Sequence, residues 1–306
     1  MESLRLLTST YQIAGIVFRI DSDLLLHDLQ NDSFGQFRSN GAKPDVFFRI
    51  RGFEESLCNC SRLSEEEVEF LEGCARYPLN DLENPLLCLP PIRARLRSRA
   101  SSSEHISLEI RRSSVTVYDF ADKELEAFYQ PDLGQILSRS RIGPGFFAPF
   151  LPVFSATIVH SSALVHKGVA ALFLAPDGGG KTTLMEHSTS GTILGDDQII
   201  LREKHGVIVA HGTPWGSFTN NNVCAQVGGF FLLEQAERFE LIPIKTANIL
   251  EYLWNEHAHH RILMPRHLRT RTFEILHRAC KQVPLYLLRF STNDIDWHAI
   301  HDAMAS

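Results

Sequence analysis

The chain has 306 residues, 44% of them apolar, and a formal charge of −6. That length suffices for one large or two modest cores, no apolar run is long enough to cross a bilayer, and the negative balance gives no reason to expect nucleic acid. Met1-Glu-Ser-Leu-Arg5 lacks the basic start and apolar stretch of a secretory signal, and six cysteines do not make a disulfide scaffold, so a reducing cytoplasm without membrane attachment is the expected setting.

Residues 1–60 alternate apolar and polar in the β manner, as in Gln12–Ile20 and Asp45–Ile50, with polar turns between. A helix is expected from Glu65 to before Pro78, capped by Ser64 with Glu67 three positions on. Cys58, Cys60, Cys74 and Cys88 crowd this region, but their spacing matches no finger pattern, and free or buried thiols outweigh zinc. Pro90–Ser103 is basic and Ser-rich, the composition expected of a mobile loop, with the grip of an acidic peptide or a phosphate as the alternative. Ile106–Ile110 and Val115–Tyr118 read as a hairpin.

Past the Gly/Pro passage Ile142–Gly145, an apolar helical segment leads to Ile158–Leu174, a second hairpin with Lys167-Gly168 as its turn and His160 near the start of its first strand. Next comes Leu172-Phe-Leu-Ala-Pro-Asp-Gly-Gly-Gly-Lys-Thr-Thr-Leu184, an apolar strand running into a glycine-rich turn and then a helix. Against the Walker A pattern G-x-x-x-x-G-K-[ST], Ala175 stands at the first position, followed by Pro176, Asp177, Gly178, Gly179, Gly180, Lys181, Thr182 and Thr183. The glycines let successive N–H groups face phosphate oxygens, Lys181 sets a cation against the β- and γ-phosphates, Thr182 binds Mg²⁺, and the helix N-terminus adds partial positive charge. Gly191–Leu201 reads as a short buried strand carrying Asp196 and Asp197; paired acids so placed need metal or a proton. Farther on, the apolar run Val227–Leu233, helices over Ile244–Glu256 and Leu268–Lys281, and a strand over Val283–Phe290 are expected, with His257, His259 and His260 as a polar helix end.

The order His-x-[ST]-Ala-Leu-Val, hairpin turn, strand, phosphate loop, one helix, Gly-Asp-Asp resembles that of the HPr serine kinase/phosphorylases over residues 156–201. The resemblance implies an α/β fold: an HPr-kinase/phosphoenolpyruvate-carboxykinase-like P-loop core with a mixed sheet and flanking helices over 141–306, preceded by a β-rich region over 1–140 of unreadable role. It also implies that Asp197 and His160 act at the transferred phosphoryl group, that Lys181 binds phosphate, and that Thr182 and Asp196 hold the metal. His166, nearer the hairpin turn, ranks below His160. One departure is plain: the family's later metal-binding Glu has no counterpart in Ala210–Gly216, and the Gly-Thr-Pro-Trp form there looks more like kinase-related proteins of peptide and natural-product pathways. The expected activity is transfer of the γ-phosphoryl group of ATP, with Mg²⁺, to a hydroxyl of a peptide, protein or small molecule. The alternatives are a non-catalytic ATP-binding partner module and simple ATP hydrolysis. A homo-oligomer is implied by the resemblance alone.

Overall fold

A computed structural model of the protein describes residues 7–22, 32–52, 64–74, 87, 94, 105–111, 114–129, 143–188, 191–216, 219–256 and 258–305. Two compact units emerge: Met1–Phe150 with His259–Arg266, and Leu151–Ala258 with His267–Ser306. Cys58, Cys60, Cys88 and most of Pro90–Ser103 lie outside the described residues, as does the side chain of Cys74.

The first unit is built on a six-stranded mixed sheet in the order β1-β2-β3-β6-β5-β4, formed by β1 (Leu7–Ile13), β2 (Ile16–Ser22), β3 (Val46–Gly52), β4 (Ile106–Arg111), β5 (Ser114–Asp119) and β6 (Glu124–Tyr129). Ala14 and Gly15, both at positive φ, close the β1–β2 hairpin. Short helices α1 (Asp32–Gly35) and α3 (Pro144–Phe147) flank α2 (Glu65–Cys74) in chain order. The Ser64 cap is present as a reciprocal pair, Glu67 N–H donating to Ser64 Oγ at 3.2 Å and Ser64 N–H to the Glu67 carboxylate at 2.9 Å. Phe18, Phe48 and Phe147 pack edge to face at the heart of the core; each such ring buried is worth roughly 1.5–3 kcal/mol.

The second unit holds a nine-stranded sheet. Its main path is β10-β8-β9-β13-β12-β11-β7, made of β7 (Ala156–His160), β8 (Ser162–His166), β9 (Val169–Leu174), β10 (Thr192–Gly195), β11 (Gln198–Lys204), β12 (Val207–His211) and β13 (Cys224–Gln235). β14 (Glu240–Pro243) and β15 (Leu285–Phe290) extend it from β13. β13 runs parallel to both β9 and β15, while the other neighbours are antiparallel. Helices α5 (Thr246–Glu256) and α7 (Arg266–Gln282) follow β14, with α6 (Ala258–Ile262), most of which belongs to the first unit, between them in sequence, and α8 (Trp297–Ala305) ends the described chain. Ile249 and Leu253 of α5, and Ile275, Leu276 and Ala279 of α7, cover one face of this sheet, clustering with its Val159, Ile199 and Leu201. Leu184 and Met185 of α4 (Lys181–Glu186), with Trp297 and Ile300 of α8, cover the other.

The expected α/β class, a P-loop core with flanking helices, does not hold. The protein is mostly β, 44% strand against 30% helix, with two large mixed sheets, one of them a half-barrel. The reason is local. The helix after the phosphate loop spans only Lys181–Glu186, and most strands return through antiparallel hairpins rather than crossover helices. His260, expected on a polar helix end, is buried; His257 lies outside the described residues, and so does the side chain of His259. Among the described residues, no helix is long and apolar enough to cross a membrane.

Candidate functional site

β9 delivers the chain to the glycine-rich turn, and its parallel neighbour β13, with β15 parallel beyond that, ends on the same side. At the turn, Gly179 N–H donates to the Pro176 carbonyl at 2.9 Å, and Gly178 and Gly180 sit at φ +76° and +95°. Gly179 has no room for a side chain, since a Cβ there would stand 2.6 Å from the Ala175 Cβ and 3.0 Å from the Pro176 oxygen. Lys181 shares one face of α4 with Leu184 and Met185, which anchor the helix to the sheet. The lysine is therefore only 7% exposed. Its ammonium folds back over the loop, donating to the carbonyls of Ala175 at 2.5 Å and Pro176 at 3.2 Å. Burial lowers its pKa, opposed by the charges of Asp177, Asp197 and Glu256. Because α4 is under two turns long, its dipole adds less than the sequence suggested, and the loop and Lys181 carry the positive end of the site.

His160 is not on the first strand of the hairpin. The hairpin proper is β8–β9, turning at Lys167 and Gly168, whereas His160 ends the separate strand β7 and pairs with Gln198 of β11. Asp196 and Asp197 occupy the bend between β10 and β11 rather than a strand interior, and Ser161 N–H donates to the Asp197 carbonyl at 3.0 Å. This ladder brings the imidazole and the carboxylate together, His160 Nε2 lying 3.0 Å from Asp197 Oδ1. The same nitrogen is 3.4 Å from the carboxylate of Asp177, whose side chain is 98% exposed. On the other side of the ring, Nδ1 lies 3.1 Å from Glu256 Oε2. The hydrogen bond to Asp197 raises the His160 pKa, burial opposes it, and Glu256 adds to the rise. Burial would raise the Asp197 pKa, but the hydrogen bond and charge of His160 together with Lys181 hold it below the usual value.

Asp196 is only 2% exposed, and its Oδ1 accepts from Thr219 N–H at 3.3 Å. Residues 213–216 and 219–221 lie beside it: Thr213 Oγ1 donates to the Gln198 carbonyl at 2.7 Å, Gly216 N–H to Asn220 Oδ1 at 2.7 Å, and Asn221 Nδ2 to the Ile193 carbonyl at 2.6 Å. At Gly216 any Cβ would collide with Thr219 and Asp196.

A pocket of about 240 Å³ gathers these groups, lined by His160, Asp177, Gly178, Gly179, Gly180, Lys181, Thr182, Thr183, Asp196, Asp197 and Gln235. Of the residues expected from sequence, Ala175 and Pro176 are not in its lining and contribute instead the carbonyls that hold Lys181. His166 lies elsewhere, stacked on His301 with ring centroids 3.5 Å apart. Two participants were missed. Gln235 ends β13 with its amide 3.5 Å from the Gly178 carbonyl, and Glu256 ends α5. Neither carries a local signal, because the one feature that recruits each is where its strand or helix stops.

Among the described residues, no group of three or more His, Cys, Asp or Glu side chains is disposed to hold a metal by itself. The donor set fits Mg²⁺ differently: that ion is usually held by one or two carboxylates together with substrate phosphates and water, and Thr182 and Asp196 line the same pocket as the phosphate loop. No protein-family model and no curated protein matches the sequence.

The histidine fixes the sign of a pH effect. A raised folded pKa means that His160 contributes stability in full below its ordinary value of about 6.5, and loses it as pH rises through the folded value. His211 does the reverse, since burial takes it down to about 4 and its stability is lost as pH falls from the ordinary value toward that one. The difference in melting temperature between wild type and His160→Gln is therefore expected to be largest near pH 6 and to shrink toward pH 9, as read by thermal melts across that range. A difference that grows with pH contradicts the assignment.

Proposed function

We propose that this protein is an ATP-dependent phosphotransferase that moves the γ-phosphoryl group to a hydroxyl of a peptide, protein or small molecule. The observation that carries the reading is convergence: the glycine loop and Lys181, suited to polyphosphate, face the same pocket as His160 and the Asp196–Asp197 pair. At about 240 Å³ the pocket suits a polyphosphate chain rather than a whole nucleotide, so the base lies outside it. Four acidic side chains, Asp177, Asp196, Asp197 and Glu256, stand around the site against the two basic ones, His160 and Lys181. A naked polyphosphate meets that excess of negative charge unfavourably, so entry with a divalent cation follows.

Mg²⁺, held by Thr182 and Asp196, would neutralise phosphate charge. The loop amides and Lys181 bind and orient the β- and γ-phosphates, Lys181 leaving the carbonyls of Ala175 and Pro176 to do so. Asp197 accepts the hydrogen bond of the acceptor hydroxyl. Its depressed pKa makes it a weak base, which suits phosphoryl transfer through a loose transition state, where orientation of the hydroxyl matters more than early proton removal. The imidazolium of His160 stabilises charge on the transferring group.

Thermal melts of the wild-type chain with ATP and Mg²⁺ test the reading together with an assay for labelled phosphate on Ser-containing peptides and small hydroxyl compounds. A raised melting temperature with labelled acceptor is expected. Affinity without product would favour the binding-module alternative, phosphate release without acceptor would favour hydrolysis, and an unchanged melting temperature would remove the nucleotide altogether.

A further inference from the structure

We propose that Glu256 is the positioning residue of this site: arriving on the last turn of α5 from 96 residues away in sequence, its carboxylate holds His160 through Nδ1 and aims Nε2–H at Asp197 and the phosphoryl-transfer position. The inference rests on the phosphotransferase reading for what Nε2–H meets during turnover; the hold on the ring stands on the distances alone.

A neutral imidazole has one N–H donor. Here carboxylate oxygens stand 3.1 Å from Nδ1 and 3.0 Å from Nε2, and both contacts are satisfied as hydrogen bonds only by the doubly protonated ring. Four groups that act on the ring come from four different elements. Asp177 comes from the loop, Lys181 from α4, Asp197 from the β10–β11 bend and Glu256 from α5. Of these, Asp177 is exposed and Asp197 has a competing task, which leaves Glu256 as the partner that remains in place through the reaction. Ile249 and Leu253 bury α5 against the sheet, so the carboxylate three residues beyond Leu253 is carried on a fixed helix. Tyr252, one turn before Glu256, has its pKa raised by burial and by Glu256 and Asp177, so it stays neutral and leaves the pairing undisturbed.

The consequence for turnover is an exchange of partners. As polyphosphate enters, its charge repels Asp177, and Nε2–H passes from Asp197 to a phosphoryl oxygen. Asp197 Oδ1 is then free for the acceptor O–H: its proton goes to Asp197 as the acceptor oxygen bonds to the γ-phosphorus. The bond from that phosphorus to the β-phosphate oxygen breaks, its electron pair leaving with the diphosphate. Glu256 prevents the ring from turning away during the exchange.

Two variants test this. Glu256→Gln keeps an oxygen that can accept from Nδ1–H but removes the charge, and Glu256→Asp keeps the charge on a shorter arm. The His160 titration midpoint, read by NMR of the ring protons, is expected to fall in Glu256→Gln and to recover in Glu256→Asp. With ATP and Mg²⁺, kcat of Glu256→Gln at neutral pH is expected to fall roughly 10-fold or more while KM for ATP stays within about twofold. A His160 midpoint that moves in neither variant overturns the proposal. Should the wild type bind ATP yet yield no phosphorylated acceptor, the phosphotransferase reading fails by itself, and the NMR midpoint still decides whether Glu256 governs His160.

Discussion

Replacing Lys181 with alanine is expected to abolish the rise in melting temperature that ATP with Mg²⁺ gives the wild type. A ligand that binds only the native state adds about 2.7 kcal/mol at a hundred times its dissociation constant, and most of that depends on the one ammonium seated inside the loop. The unliganded variant also changes, because the Ala175 and Pro176 carbonyls lose a charged donor at 2.5 and 3.2 Å, a loss of order 1–3 kcal/mol offset by the burial cost of the ammonium itself. Differential scanning with and without nucleotide separates the two effects. If the variant keeps the full nucleotide shift, the loop is not where phosphate binds.

Asp197→Asn is expected to keep ATP affinity within severalfold and to cut phosphoryl transfer by about 10²- to 10⁴-fold, the range for loss of a proton-accepting group. The amide retains the volume of the carboxylate and can still meet His160 Nε2, so the fold around the β10–β11 bend is preserved. What disappears is the carboxylate whose hydrogen bond gives the largest upward push to the His160 pKa. Steady-state kinetics and a nucleotide-binding isotherm on the same preparation check it. Turnover within threefold of wild type would remove Asp197 from the chemistry.

Much of the candidate site was legible because its chemistry is local: Gly178 to Thr183 are consecutive, a turn running into a helix, and an acid pair with a glycine before it announces itself. Element types were readable for the same reason, as the Ser64–Glu67 cap and the Lys167-Gly168 turn show. What sequence missed depends on pairing at a distance. His160 belongs to a strand that pairs with β11 rather than with the hairpin that follows it, and no local pattern distinguishes those partners. Glu256 is one acid among 36 Asp and Glu residues, and only the docking of α5 selects it. The α/β class came from the family resemblance rather than from strand pairing, and the sheet is instead dominated by hairpins.

The pairing of His160 with Gln198 has a consequence for how this chain tolerates changes in length. Successive strand residues face opposite sides of a sheet, so one residue inserted within Ala156–His160 carries the imidazole to the side where Val159 now packs among α5 and α7. One residue added at Lys167-Gly168 only enlarges a turn whose glycine has open space around it. The two positions are a few residues apart in sequence, yet one fixes the parity of the site and the other is merely a connection.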